Sequence, residues 1–157
     1  MIMIQQALGV EQFDVIPHLL SIIVAYILAL PIGWNREKEE RSAGIRTFPL
    51  VAIASCGFIQ AAEGITNGNP EAMARIVEGI ITGVGFIGGG AILHMKASVK
   101  GTATAASLWV TGAIGVSVGL GNVDVAIILA LSGFITLFLL APIKQSIDRD
   151  APRDAED

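Results

Sequence analysis

Charged residues are scarce in this chain: 15% of 157 positions, against about a quarter in an ordinary soluble domain. Cysteine is scarcer still. Cys56 stands alone, so no disulfide can form within the chain and a disulfide-stapled scaffold is excluded. Aromatics make up only 6%, and 10 basic residues face 14 acidic ones, a net charge of −4. A chain without basic excess has no electrostatic footprint for nucleic acid. Nor is this a disordered chain, which combines low hydropathy with high net charge: 53% of residues are hydrophobic and mean hydropathy is +0.68. The sequence also lacks HExxH, GxSxG and Walker patterns. Its Ser, Thr and Cys residues have no neighbouring base, and His18 and His94 fall near opposite ends of their segments. Enzymatic chemistry is left without a nucleophile, a metal cluster or a phosphate loop, and neither a catalytic residue nor a cofactor is expected.

What the chain does have is apolar sequence in blocks. A bilayer core about 30 Å thick is crossed by roughly 17 to 25 residues of helix. Five blocks of about that length occur, at residues 15–33, 47–62, 75–94, 103–120 and 123–141. Apart from Ser, Thr and Gly they are apolar all round, whereas a soluble surface helix shows a polar face. The expected fold is therefore all-α and integral to a membrane, a compact bundle of five transmembrane helices over residues 15–142. An outer segment, 1–14, precedes it and a polar tail, 143–157, follows it. Residues 1–14 hold no basic n-region and no small-x-small site follows the first block, so that block is expected to stay as a span.

Lys and Arg in the loops set the orientation. Arg36, Lys38, Arg41 and Arg46 lie after the first block, Lys96 and Lys100 after the third, and Lys144, Arg149 and Arg153 after the fifth. Nine of ten basic residues thus share one side, and Arg75 alone is on the other. The N-terminus is expected outside and the C-terminus in the cytoplasm.

Local signals agree with the boundaries. Asn69-Pro70-Glu71 reads as an N-cap, a proline at the first helical position and an acid in the first turn. Thr47 is the expected cap of the second helix, and Gly119-Leu120-Gly121 a helix stop. Trp34 to Arg41 is expected to continue the first helix, with Glu37 placed four residues before Arg41. Gly83-Val84-Gly85-Phe86-Ile87-Gly88 matches GxGxxG by letter, yet it sits inside an apolar block with no acid about 20 residues on, so dinucleotide binding is rejected. Small residues four apart let helices approach closely in lipid. Gly79 with Gly83, Gly115 with Gly119, and Gly90 on the same face as Gly83 seven residues on predict tight packing of the third helix on the fourth. The triple Gly88-Gly89-Gly90 exceeds what packing needs and marks a local break or a close approach.

Glu78 is the sharpest polar signal, since a carboxylate inside a span is expensive and asks for a partner. One reading is an intramembrane ion pair with Arg75, one turn away; the other is a cation or proton site at Glu78. Glu11, Asp14, Glu63, Glu71 and Asp124 share the outer side with it, a surface that would concentrate cations. On the opposite side Arg36, Glu37, Arg46, Thr47, Lys100 and Thr104 are expected to form a polar cluster holding the inner loops, with lipid headgroups as the alternative partner of the basic members.

Several stretches together resemble the MgtC/SapB family of bacterial inner-membrane proteins. They are Gly33-Trp34-Asn35-Arg36-Glu37, Ala43-Gly44-Ile45-Arg46-Thr47, Gly83 to Gly90, Val99 to Trp109 and Gly112 to Gly121, in the family's order over residues 19–140. Departures are Asn35 where the family usually has Glu, Gly79 near a usual Gln, Ala103 in place of Asn or Thr, and Phe48-Pro49 after Arg46-Thr47. The resemblance is to the short, SapB-like forms without a C-terminal soluble domain. It implies a multi-pass inner-membrane protein linked to magnesium limitation or acid-stress adaptation and to virulence. Such proteins are viewed as modulators of other membrane proteins, with Mg²⁺ or cation transport as the alternative. The partners implied are the lipid bilayer and either another membrane protein or a second copy in a homo-oligomer.

Overall fold

The computed structural model describes residues 15–38, 43–95 and 98–150. The segment 1–14 and the end of the tail lie outside the described residues, and with them Glu11, Asp14, Arg41, Lys96 and Arg153. The chain forms α1 (Val15–Lys38), α2 (Thr47–Thr66), α3 (Pro70–Gly90), β1 (Leu93–Met95), β2 (Ser98–Lys100), α4 (Thr102–Gly119) and α5 (Val123–Asp150). All five helices are long and apolar enough to cross a membrane. The strands pair antiparallel as a small hairpin, Leu93 opposite Lys100, in a loop where the sequence carried no strand signal.

Helix ends follow local chemistry, with three corrections. Asn69 caps α3 as expected: its side-chain oxygen accepts from the backbone N–H of Glu71 at 2.9 Å and of Ala72 at 3.3 Å, with Pro70 at the first position. The helix therefore starts at Pro70, as that signal implies, five residues ahead of the apolar block, and it stops at Gly90, short of the block's expected end at 94, because the three glycines lower its stability just where the hairpin begins. Thr47 is not the cap of α2; Arg46 occupies that position in a helical conformation and makes no side-chain cap. The turn Gly44 to Thr47 is closed instead by backbone bonds from Thr47 and Phe48 to the Gly44 carbonyl. Helix α5 passes the expected end at 141, continuing through Pro142 to Asp150, because no glycine or capping motif follows to stop it. The α4–α5 turn is as read: Gly121, at φ +80°, lets Asn122 N–H reach back to the Ser117 carbonyl.

Helix α4 is the hub. It packs on all four other helices, most extensively on α2, and its own residues from Thr104 to Gly119 are largely buried. Around it run α3, α2, α1 and α5 in that order, with no extensive contact closing the ring between α3 and α5. Ile32, Phe48, Ile59, Leu108 and Ile114 fill the interior.

The glycines divide sharply. A Cβ at Gly115 would collide with the Ala52 carbonyl oxygen and lie 2.8 Å from the Ser55 Cβ; one at Gly119 would lie 2.7 Å from the Ile59 Cβ and 3.0 Å from the Cys56 carbonyl. One at Gly112 would lie 2.9 Å from a Val84 methyl. Around Gly79, Gly83 and Gly90 there is nothing within 4 Å. The tightest seam is thus α4 on α2 rather than α3 on α4. The α3 glycine that lies closest to the α4 backbone is Gly88, where an added Cβ would stand 3.3 Å from the Ala105 carbonyl oxygen. Helix turn spacing defines a face but not the neighbour it meets.

Forcing a methyl into the α2–α4 seam pushes two backbones apart, the kind of overpacking that costs about 1–3 kcal/mol. Gly115→Ala is expected to lower the melting temperature in detergent. Gly79→Ala leaves it unchanged or raises it, by up to about 1 kcal/mol of helix propensity. Equal losses for the two variants would show that the seam is not where the fold is held.

Candidate functional site

Two polar regions stand out, one at each end of the bundle. At the basic end, α1 runs out of the apolar block into Trp34-Asn35-Arg36-Glu37-Lys38, and the chain returns through Ala43-Gly44 to α2. Arg36 is only 3% exposed, and its Nη2 donates to the Asn35 side-chain oxygen at 2.9 Å. Glu37 lies one residue on at the surface, where its Oε2 accepts the Ile45 backbone N–H at 3.0 Å. That bond clamps the α1–α2 loop to the end of α1. Gly44 makes room for it, since a Cβ there would overlap the Glu37 carboxylate. Gly33 serves the same joint one turn earlier, with Ile45 Cα and Phe48 Cβ both 3.2 Å from where its Cβ would stand. Lys38 is turned to the Trp34 ring, 5.4 Å from its centroid, a cation–π contact one helical turn apart.

The remaining members of the expected cluster differ in burial. Arg46 and Lys100 are exposed and Thr47 is half-buried. Thr104 is 1% exposed, and its hydroxyl has no hydrogen-bond partner among the described residues. Gly101 joins the hairpin to α4 at φ +92°, its position so close to the Ala91 carbonyl that a Cβ would overlap it. Sequence reasoning named Gly33, Gly44 and Gly101 only as parts of motifs. Their role in close approach could be read from the letter glycine but not placed without the fold.

At the other end, α3 carries Arg75 and Glu78. Both are exposed, and among the described residues no ion pair joins them. Arg75 lines the groove between α2 and α3, while Glu78, three residues on along the same helix, is not part of that lining. The only hydrogen bond at Glu78 that involves a side chain, among the described residues, is to its backbone carbonyl, which accepts from the Thr82 hydroxyl at 2.9 Å. Among the described residues no three His, Cys, Asp or Glu side chains come together as a metal site. Asp124, Glu63 and Glu71 are exposed. Sequence reasoning missed one tie at this end, the Gln60 amide donating to the His18 carbonyl at 3.3 Å, which links α2 to α1.

The interior polar groups are of another kind. Ser107 donates to the Ala103 carbonyl at 2.6 Å and Thr111 to the Ser107 carbonyl at 2.8 Å, both along α4. Hydroxyls bonded back to their own helix satisfy themselves in an apolar interior. Gly83, Gly85 and Gly88 lie within α3 with no strand before them, as the rejection of dinucleotide binding requires.

Five apolar helices, four of them packed around a small-residue hub, with charge confined to the ends and to one outer face, define a multi-pass helical membrane protein. The comparisons with known proteins give the family. Residues 22–146 match the model of the MgtC family, so the chain belongs to that family. Among its relatives, Protein SrpB of Synechococcus elongatus is 35% identical over 161 aligned positions, 87% of this chain and 88% of the relative. Protein MgtC of Salmonella typhimurium is 33% identical over 139 positions, 88% of this chain and 59% of the relative. Protein MgtC of Brucella abortus is 32% identical over 129 positions, 82% of this chain and 53% of the relative. The chain therefore spans little more than half the length of the MgtC proteins it matches. No solved structure matches it significantly.

The Glu37 carboxylate bridges the end of α1 and the α1–α2 loop. Glu37→Ala strips the Ile45 N–H of its acceptor and is expected to cost about 1 kcal/mol, near the lower end for a bond to a charged group because the site is exposed. Arg46→Ala, at an exposed position, is expected to cost less. Thermal unfolding of the two variants in the same detergent makes the comparison, and a larger loss for Arg46 would place the loop's anchor elsewhere.

Proposed function

We propose that this protein is a non-enzymatic inner-membrane protein of the MgtC/SapB type that acts in adaptation to magnesium limitation or acid stress and in virulence by modulating other membrane proteins. On this reading the N-terminus lies outside and the C-terminus in the cytoplasm. Membership of the MgtC family supports the reading, together with the gathering of nine basic residues at one end of the spans.

The observation that carries it against transport is the bearing of Glu78. A carrier site lies where polar groups from several helices converge near the bilayer midplane. Glu78 is exposed on the side of α3 away from Val84 and Gly88, the residues that face the bundle. The alternative, a cation or proton transporter centred on Glu78, would need that carboxylate to be enclosed.

Flux of Mg²⁺ and H⁺ into proteoliposomes tests the reading. Protein shown to be folded is expected to give no flux above empty vesicles, with Glu78→Gln the same. Flux that disappears in Glu78→Gln would overturn it and make Glu78 the centre of a carrier. For the orientation, an impermeant maleimide applied to right-side-out vesicles is expected to modify Asn122→Cys and to spare Lys144→Cys. The reverse pattern would invert the topology.

A further inference from the structure

The outward face of α3 is the wrong surface for lipid. Helix α5 shows what a lipid-facing surface looks like here: Ile128, Leu131, Ile135 and Phe138 stand exposed along it. On α3 the corresponding side carries Arg75, Glu78, Gly79, Thr82 and Gly83, all exposed, and then Phe86, 85% exposed. Arg75 lies about 8 Å and Glu78 about 12 Å along the helix from its start, at 1.5 Å per residue. Both charges are therefore inside the span, where an unpaired charge is expensive, and each lacks an ion-pair partner within its own chain among the described residues.

The face also has relief. Between α2 and α3 runs an apolar groove of about 690 Å³, with Gly79, Gly83, Phe58 and Leu50 in its walls and Arg75 at its end. On the other flank, between α3 and α4, lies a second cavity of about 220 Å³ that includes Trp109 and Gly112. Helix α3 is a ridge with a hollow on each side, and Phe86 is a knob on that ridge beside an unfilled groove.

We propose that this face of α3 pairs with the same face of a second copy of the chain, about a two-fold axis along the membrane normal. Charge complementarity selects the occupant. Two copies inserted with the same topology hold Arg75 and Glu78 at depths one helical turn apart, so Arg75 of each meets the partner's Glu78 and both pairs form at once. A two-fold interface is self-complementary in this way, with residue i on j and j on i. The glycines let the ridges approach closely, and Phe86 of each copy enters the groove beside the partner's Gly83. A lipid acyl chain could fill the groove but would neutralise neither charge. The inference rests on the membrane reading alone and is independent of the regulatory role, so a flux result leaves it standing.

The test is energy transfer between donor-labelled and acceptor-labelled full-length chains in lipid vesicles, followed as protein is diluted in lipid. Wild type is expected to show transfer that falls on dilution, and Phe86→Ala to need about tenfold more protein for half-maximal transfer, the size of one or two interhelical contacts. Arg75→Glu makes a face with two acids and Glu78→Arg one with two bases. Each variant alone is expected to lose transfer, and a mixture of the two to regain it. An ion pair within one helix cannot produce that rescue, and recovery on mixing shows that both variants are folded. Absence of transfer for wild type at every density, or transfer that Phe86→Ala and both charge variants leave unchanged, would overturn the proposal. In the first case the face is covered by lipid or by a different protein.

Discussion

The bundle depends on how closely α4 can lie against α2. Gly115 and Gly119 bring the α4 backbone onto the Ala52 and Cys56 carbonyls and the Ile59 side chain, with no room for even a methyl group. In lipid there is little hydrophobic gain in bringing two apolar helices together, so van der Waals contact over such close surfaces has to hold them. Every other helix is placed by reference to this pair: α1 and α3 pack on both α2 and α4, and α5 packs on α4 and α1.

Away from that seam the contacts loosen in a definite direction. The basic end is stitched by short-range devices: the Glu37 clamp on Ile45, the close passage of Gly33 under Phe48, and the left-handed Gly101 against Ala91. Helix α3 meets α4 closely at Gly88 against Ala105 and at Val84 against Gly112, while much of its length borders grooves. This member of the MgtC family is thus a bundle with one closed side and one ridged side.

The helices were legible in the sequence because crossing a bilayer demands an apolar length that no soluble fold needs. Their ends were legible where a side chain does the capping, as at Asn69, and not where backbone alone closes the turn, as at Gly44. The α5 extension through Pro142 was missed because a proline lowers helix stability without deciding where a helix stops. The hairpin at Leu93–Lys100 is too short to carry an alternating pattern. At the candidate site, Gly79/Gly83 and Gly115/Gly119 have identical spacing but opposite surroundings; that difference comes from the order of helices around α4, which no local pattern encodes. Glu37 was read as a member of a charge cluster, and its bond to a backbone N–H eight residues on depends on how the loop turns back.

The hub helix has an interior face built largely from Thr, Ser and Gly and is the most enclosed of the five, whereas α5 is the least enclosed. It follows α2 in the chain, so the carbonyls and side chains against which Gly115 and Gly119 lie are synthesised before the glycines that need them. The order of the helices along the sequence thus puts the receiving surface ahead of the helix that organises the finished bundle.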